Sequence, residues 1–162
     1  MKKILFILSL VLIVFGCKKD TIELSDADQL LKDTATIDTW LAANSITAQE
    51  DPSGLRYVIT TTGTGAKPKL TNKVTVKYTG KFLKETVEPS KSVVFDQATT
   101  TAVTFTLSGL IKGWQIGFQL LPKGSKATLY IPSGLGYGKQ GFGSSIPPNS
   151  NLFFDVELVD VK

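Results

Sequence analysis

The sequence predicts an α+β fold: a curved antiparallel β-sheet wrapped around one short α-helix, with an N-terminal helical appendage. Three observations predict it. From Pro52 onward, five stretches alternate apolar and mostly polar residues with period two, so each strand sets one face on a core. Between the third and fourth stretches lies the only helical pattern of that part, with Trp114, Phe118 and Leu121 on one face. Ahead of Pro52 the spacing is helical instead, with Leu30, Ile37 and Leu41 recurring beside Trp40.

The chain opens on the basic Met1-Lys2-Lys3, and Ile4 to Phe15 is an almost unbroken apolar run. The run is shorter than the about 20 residues that span a bilayer, and it has the length and flanks of a secretory signal core. Gly16 and Cys17, the only cysteine, follow. The stretch Val14-Phe15-Gly16-Cys17 resembles a bacterial lipobox, although Phe15 is a less usual occupant of its position. That resemblance implies a signal peptide over 1–16 and a lipidated Cys17 as the mature N-terminus. Acyl chains, at about 0.8 kcal/mol per buried CH2, would anchor the protein to a membrane of the cell envelope. The domain would then face the periplasm or the cell surface. The plainer alternative is an ordinary signal peptide followed by a chance cysteine.

Residues 17–24 read as a polar tether. Ser25 offers an N-cap, Asp26 and Asp28 suit the positive end of the helix dipole, and Asn44 can close the helix. The segment 25–51 is expected to be a packing or spacer helix rather than a dimerising one. The strands follow over 52–162, at Leu55-Tyr57-Ile59, Val74-Val76-Tyr78, Val103-Phe105-Leu107, Ala127-Leu129-Ile131 and Leu152-Phe154-Val156-Leu158. Gly63-Thr64-Gly65, Pro68, Pro122-Lys123-Gly124 and Pro132 punctuate them, and Pro122 ends the Trp114 helix.

Composition excludes several chemistries. Two of the 18 basic residues and none of the 14 acidic ones fall in residues 1–16, so the remainder is close to neutral and has no basic cluster to hold nucleic acid. The chain has no histidine, which removes Ser-His-Asp and Cys-His nucleophile systems and the commonest zinc ligand. No metal and no cofactor is expected.

The stretch "SGLGYGKQGFGSSIPPNS", Ser133 to Ser150, contains the G-x-G-x-x-G spacing at Gly136, Gly138 and Gly141. A dinucleotide site needs those glycines between a strand and a helix. Here Pro147-Pro148 follows closely and forbids the helix, so the spacing is a coincidence. What remains is a long loop that carries Tyr137, Phe142 and Ile146.

With that loop in place, six pieces fall in a telling order: Val76-Lys77-Tyr78-Thr79-Gly80, Val94-Phe95-Asp96, Gly109-Leu110-Ile111-Lys112-Gly113-Trp114, Gly136-Tyr137-Gly138, Ile146-Pro147-Pro148-Asn149 and Leu152-Phe153-Phe154-Asp155-Val156-Glu157-Leu158. In these pieces and their order the chain resembles the FKBP-type peptidyl-prolyl cis-trans isomerases. The resemblance covers residues 52–162 and implies a half-open sheet with a shallow apolar pocket between it and the helix. Trp114 would floor the pocket, and Tyr78, Phe95, Leu110, Ile111, Tyr137, Ile146 and Phe154 would wall it. Asp96 would partner Tyr78. The backbone N–H of Ile111 and the hydroxyl of Tyr137 would receive substrate carbonyls.

The implied partners are proline-containing polypeptides and macrolide inhibitors. Two positions depart from the family: Val103 replaces a frequent aromatic wall residue, and Phe142 a frequent polar ring. The connection between Gly80 and Phe95 is also longer than in compact members. These departures bear on substrate preference and inhibitor affinity more than on the reaction. The rival reading is a chaperone-like module that grips unfolded chains with little turnover.

Overall fold

The computed structural model describes residues 24–83 and 92–162. The expected signal peptide, Cys17, all of the tether but Leu24, and residues 84–91 of the long connection lie outside the described residues.

Helix α1 runs Asp26–Ala43. Ser25 caps it, its hydroxyl oxygen accepting from the Asp28 N–H at 3.1 Å. Asn44 closes the other end, with its side-chain amide donating to the Trp40 carbonyl at 2.8 Å. Six strands follow in one antiparallel sheet: β1 (Gln49–Glu50), β2 (Arg56–Thr61), β3 (Lys73–Phe82), β4 (Val94–Thr106), β5 (Lys126–Ile131) and β6 (Leu152–Val161). A second helix, α2 (Lys112–Leu120), connects β4 to β5. The spatial order is β1-β2-β5-β6-β3-β4, so the last strand in the chain lies in the middle of the sheet.

Strand β4 begins well before the alternating Val103-Phe105-Leu107, because its ladder with β3 is interrupted twice. Val76 faces Val103 while Tyr78 faces Ala98, so residues 99–102 stand against Lys77 alone. Gly80 faces Asp96 and Lys81 faces Val94, which leaves Phe95 without a partner between them. Bulges break the period-two pattern and bend the strand.

The sheet has an apolar inner face and a second apolar patch on its outer face. On the inner face Val74, Val76, Ala127, Leu129, Ile131, Leu152, Phe154, Val156 and Leu158 pack with Trp114, Phe118 and Leu121 around α2. On the outer face Tyr130 and Phe153 meet Ile37, Trp40 and Leu41 of α1. The N-terminal helix is thus a cover for the convex side of the sheet. The Arg56 guanidinium ties it down further, with Nε and Nη2 donating to the two Asp38 oxygens at 2.8 and 2.9 Å. Two carboxylates, Asp38 and Glu50, face this buried arginine and raise its pKa above the usual arginine value.

Candidate functional site

The inner face is unfinished at one end of α2, where a cavity of about 170 Å³ opens. Its lining comes from four elements and two connections: Tyr78 of β3, Asp96 and Phe105 of β4, Leu110 and Ile111 before α2, Trp114 of α2, Phe154 of β6, and Tyr137 in the loop after β5. Other grooves are larger, one of about 610 Å³ beside Lys32, Thr36 and Asn151, but its lining mixes polar and apolar side chains with Phe82 as its one ring. The small cavity gathers five aromatic rings.

Trp114 holds the centre. Tyr78, Phe118 and Phe154 stand edge-on to its indole at 5.1, 5.1 and 5.2 Å, and Phe105 at 6.2 Å. Such edge-to-face pairs add about 0.5–1.5 kcal/mol each beyond the area they bury. The Trp114 indole N–H is buried and has no hydrogen-bond partner among the described residues. An unpaired buried donor costs about 1–3 kcal/mol, and such groups are rare enough in a finished core to mark a site.

The polar groups are few. The Tyr78 hydroxyl donates to Asp96 Oδ2 at 2.8 Å. Burial, then this bond and the carboxylate charge, push the Tyr78 pKa up to about 12. Burial first and Asp96 second raise Tyr137 as well. Both hydroxyls therefore stay protonated at neutral pH and can only donate or accept hydrogen bonds there. Ile111 is the N-cap residue of α2, so its N–H lies outside the helix ladder.

Tyr137 sits between two 3-10 turns, Ser133–Leu135 and Gly138–Gln140. Beyond them Phe142 and Ile146 pair through both backbone bonds, at 2.8 and 3.1 Å, and close the loop on itself. The turn depends on Gly141, whose φ is 65° and whose added Cβ would lie 2.2 Å from the Ile146 carbonyl oxygen. Proline and turn geometry, not a phosphate-binding helix, occupy the place of the glycine spacing.

Seven of the residues singled out from sequence converge on the cavity: Tyr78, Asp96, Leu110, Ile111, Trp114, Tyr137 and Phe154. Four lie outside its lining. Phe95 packs behind it, on Phe82 at 5.0 Å and edge-on to Phe154 at 5.5 Å. It fits because Gly80 lies beneath the Phe154 and Phe95 rings; a Cβ there would meet them at 2.6 and 2.8 Å. Ile146 is buried within the inner core cluster. Val103, the first residue beyond the long bulge, is 38% exposed on the rim. Phe142 is 63% exposed, with its ring 5.2 Å from that of Tyr137. Phe105 lines the cavity and was not singled out. Its signal was parity, because it points to the same side of β4 as Val103, two residues on.

Comparison with known proteins agrees with this geometry. The sequence model of the family described as FKBP-type peptidyl-prolyl cis-trans isomerase matches residues 64–159. A probable FKBP-type peptidyl-prolyl cis-trans isomerase, FkpA, of Neisseria meningitidis is 47% identical over 109 residues, covering 67% of this chain and 38% of that protein. The outer membrane protein MIP of Legionella longbeachae is 41% identical over 111 residues, covering 68% of this chain and 46% of that protein. The chain thus spans less than half the length of these two relatives. The 1.6 Å crystal structure of a peptidyl-prolyl cis-trans isomerase from Pseudomonas syringae superposes with a TM-score of 0.67, covering 86% of this chain and 98% of that one at 31% identity. With most of the sheet, α2 and the Tyr137 loop inside the matched segment, the chain belongs to the FKBP-type peptidyl-prolyl cis-trans isomerase family.

Proposed function

We propose that the domain accelerates rotation about Xaa-Pro bonds of polypeptides by holding the twisted amide in the Trp114 cavity. The observation that carries this reading is a small aromatic cavity with one carboxylate, already engaged by a tyrosine. At about 170 Å³ it is smaller than the about 300–1,000 Å³ of a drug-sized pocket. It suits one ring, with the flanking peptide lying on the surface.

Uncatalysed Xaa-Pro rotation takes tens of seconds. Bringing it to milliseconds requires about 6 kcal/mol off the barrier. Rotation breaks amide resonance without moving a proton or a covalent bond, so the missing histidine costs nothing. The twisted amide is less dipolar than the planar one, and a dry aromatic site therefore favours it over the ground state. In this mechanism Trp114 carries the proline ring, while the Ile111 N–H and the Tyr137 hydroxyl hold substrate carbonyls. Asp96 and Tyr78 complete the wall beside the rotating carbonyl. Phe142 and Val103, both exposed at the rim, extend the apolar contact to the residue before proline. Macrolides of the kind that inhibit the family would compete for the same ring site.

The test is the cis/trans relaxation rate of a short Xaa-Pro peptide with residues 21–162 added at catalytic concentration. Faster relaxation, greatest with an apolar residue before proline, is expected. A rate unchanged from buffer would move the assignment to a chaperone-like binding module.

We further propose that Cys17 is lipidated after removal of residues 1–16 and anchors the domain in the cell envelope. The apolar run, the following Gly16-Cys17, and the name of the Legionella relative support this. Mass spectrometry of the protein from its host should find acyl chains on an N-terminal Cys17; a free thiol or a different cleavage site would remove the anchor.

A further inference from the structure

Asp33 of α1 is 2% exposed, lies outside the Trp114 cavity, and has hydroxyl and N–H donors as its partners among the described residues. A buried carboxylate is retained only when donors satisfy it, and here the donors identify its task. Asp33 Oδ2 accepts from the backbone N–H of Ser133 at 2.8 Å and also from the Ser133 hydroxyl. Oδ1 accepts from the Gln29 side-chain amide, one turn back on α1, at 2.7 Å. Ser133 opens the 3-10 turn that leads to Tyr137, and its N–H is shared between Asp33, 100 residues away, and Asn151 Oδ1 at 3.1 Å. On the far side of Tyr137, Lys139 pairs with Asp26 of the same helix at 2.9 Å. Leu30, between those two contacts, and Thr34, just past Asp33, close over Gly54 together with Pro132. One helix therefore holds the Tyr137 loop both before and after the tyrosine.

We propose that α1 positions the Tyr137 loop and that Asp33 is the positioning residue through which it acts. The tyrosine hydroxyl has to meet a substrate carbonyl within hydrogen-bonding distance, and a displacement of about 1 Å can cost as much as a hundredfold in rate. A surface loop rich in glycine would not hold that tolerance unaided. A helix docked on the opposite face of the sheet supplies the missing constraint. The role in catalysis rests on the isomerase reading given above, whereas the effect on loop order does not.

The experiment compares Asp33→Ala, Asp33→Asn and Asp38→Ala in residues 21–162, by peptide isomerisation and by backbone amide relaxation. Asp38→Ala is the control, since it cuts a polar tie of α1 away from the loop, to Arg56, and leaves Ser133 untouched. Asp33→Ala is expected to lower kcat/KM about tenfold. Order parameters over residues 134–141 should fall from about 0.85 to below about 0.6 while the sheet is unchanged. Asp33→Asn, which keeps an acceptor oxygen for the Ser133 N–H, should recover most of both, and Asp38→Ala should alter neither.

Unchanged loop order in folded Asp33→Ala, or equal loosening by Asp38→Ala, overturns the proposal. Should Asp33→Ala fail to fold, Ser133→Ala removes only one of the two donors to Oδ2, and an intermediate loss of loop order is expected; none would overturn it. A wild-type domain without isomerase activity would sink the functional reading, and the relaxation data would still decide the positioning role.

Discussion

Tyr137 keeps its ring against Phe142 and offers its hydroxyl to the cavity, so the two contributions can be separated. Tyr137→Phe should lower kcat/KM several-fold, as expected for one hydrogen bond of about 0.5–1.5 kcal/mol. The denaturation midpoint should stay within error, and unfolding by this change would make Tyr137 a core residue. Titration gives a second handle at this scale. The proton of Tyr78 is held more tightly in the folded state, where its pKa is about 12, than in the unfolded chain, near 10.0. Its contribution to stability is therefore complete below about pH 10 and lost as pH rises through about 12. Catalytic efficiency should stay flat from about pH 5.5 to about 8.5, because no histidine exists to titrate there and no proton moves. A bell within that window, or a large heavy-water effect, would sink the twisted-amide mechanism. At this scale the family's spacing located seven lining residues, while Phe105 and the rim position of Val103 depended on a bulge. The residues that bulge, 99–102, are Thr99-Thr100-Thr101-Ala102, which carry no local mark of it.

Two elements carry a buried tryptophan each, and the two should behave differently. Trp114→Ala removes the centre of the cavity and of the inner core, while Trp40→Ala removes the contact of α1 with Tyr130 and Phe153. Each truncation should cost about 3–5 kcal/mol in chemical denaturation. Trp114→Ala should abolish measurable isomerisation in the fraction that remains folded. Trp40→Ala touches the cavity only through α1, so its folded fraction should lose kcat/KM only as far as order over residues 134–141 falls; a loss of rate with that order unchanged would refute this route. Helix α1 itself was readable, cap to cap, from Ser25 to Asn44. Its place was not. Tyr130 and Phe153 fall on the polar parity of strands whose other face is the core, and their aromatic character was the available signal that something covers them. The carboxylate bond from Asp33 to Ser133 joins residues too far apart for any local pattern to show.

For the whole molecule, sequence periodicity gave the number and sense of the main strands but not their order, because alternation says which face is buried and nothing about which neighbour is bonded. The order matters. Strand β6 bonds to β5 on one side and to β3 on the other, and among the described residues no other strand joins the β1-β2-β5 group to the β3-β4 pair. A protein ending at residue 151 should therefore show neither a cooperative thermal transition nor native near-ultraviolet circular dichroism; either signal would contradict the central role of β6. The same topology imposes a timetable. A ribosome that has released every residue up to 151 has released two half-sheets with their apolar faces open. The final ten-residue strand closes the sheet at one stroke, late and through contacts distant along the chain. Folding of this domain thus cannot proceed piece by piece behind the emerging chain. Up to that moment the two half-sheets lack the strand they share, so the polypeptide should thread through a narrow channel more easily than the closed domain.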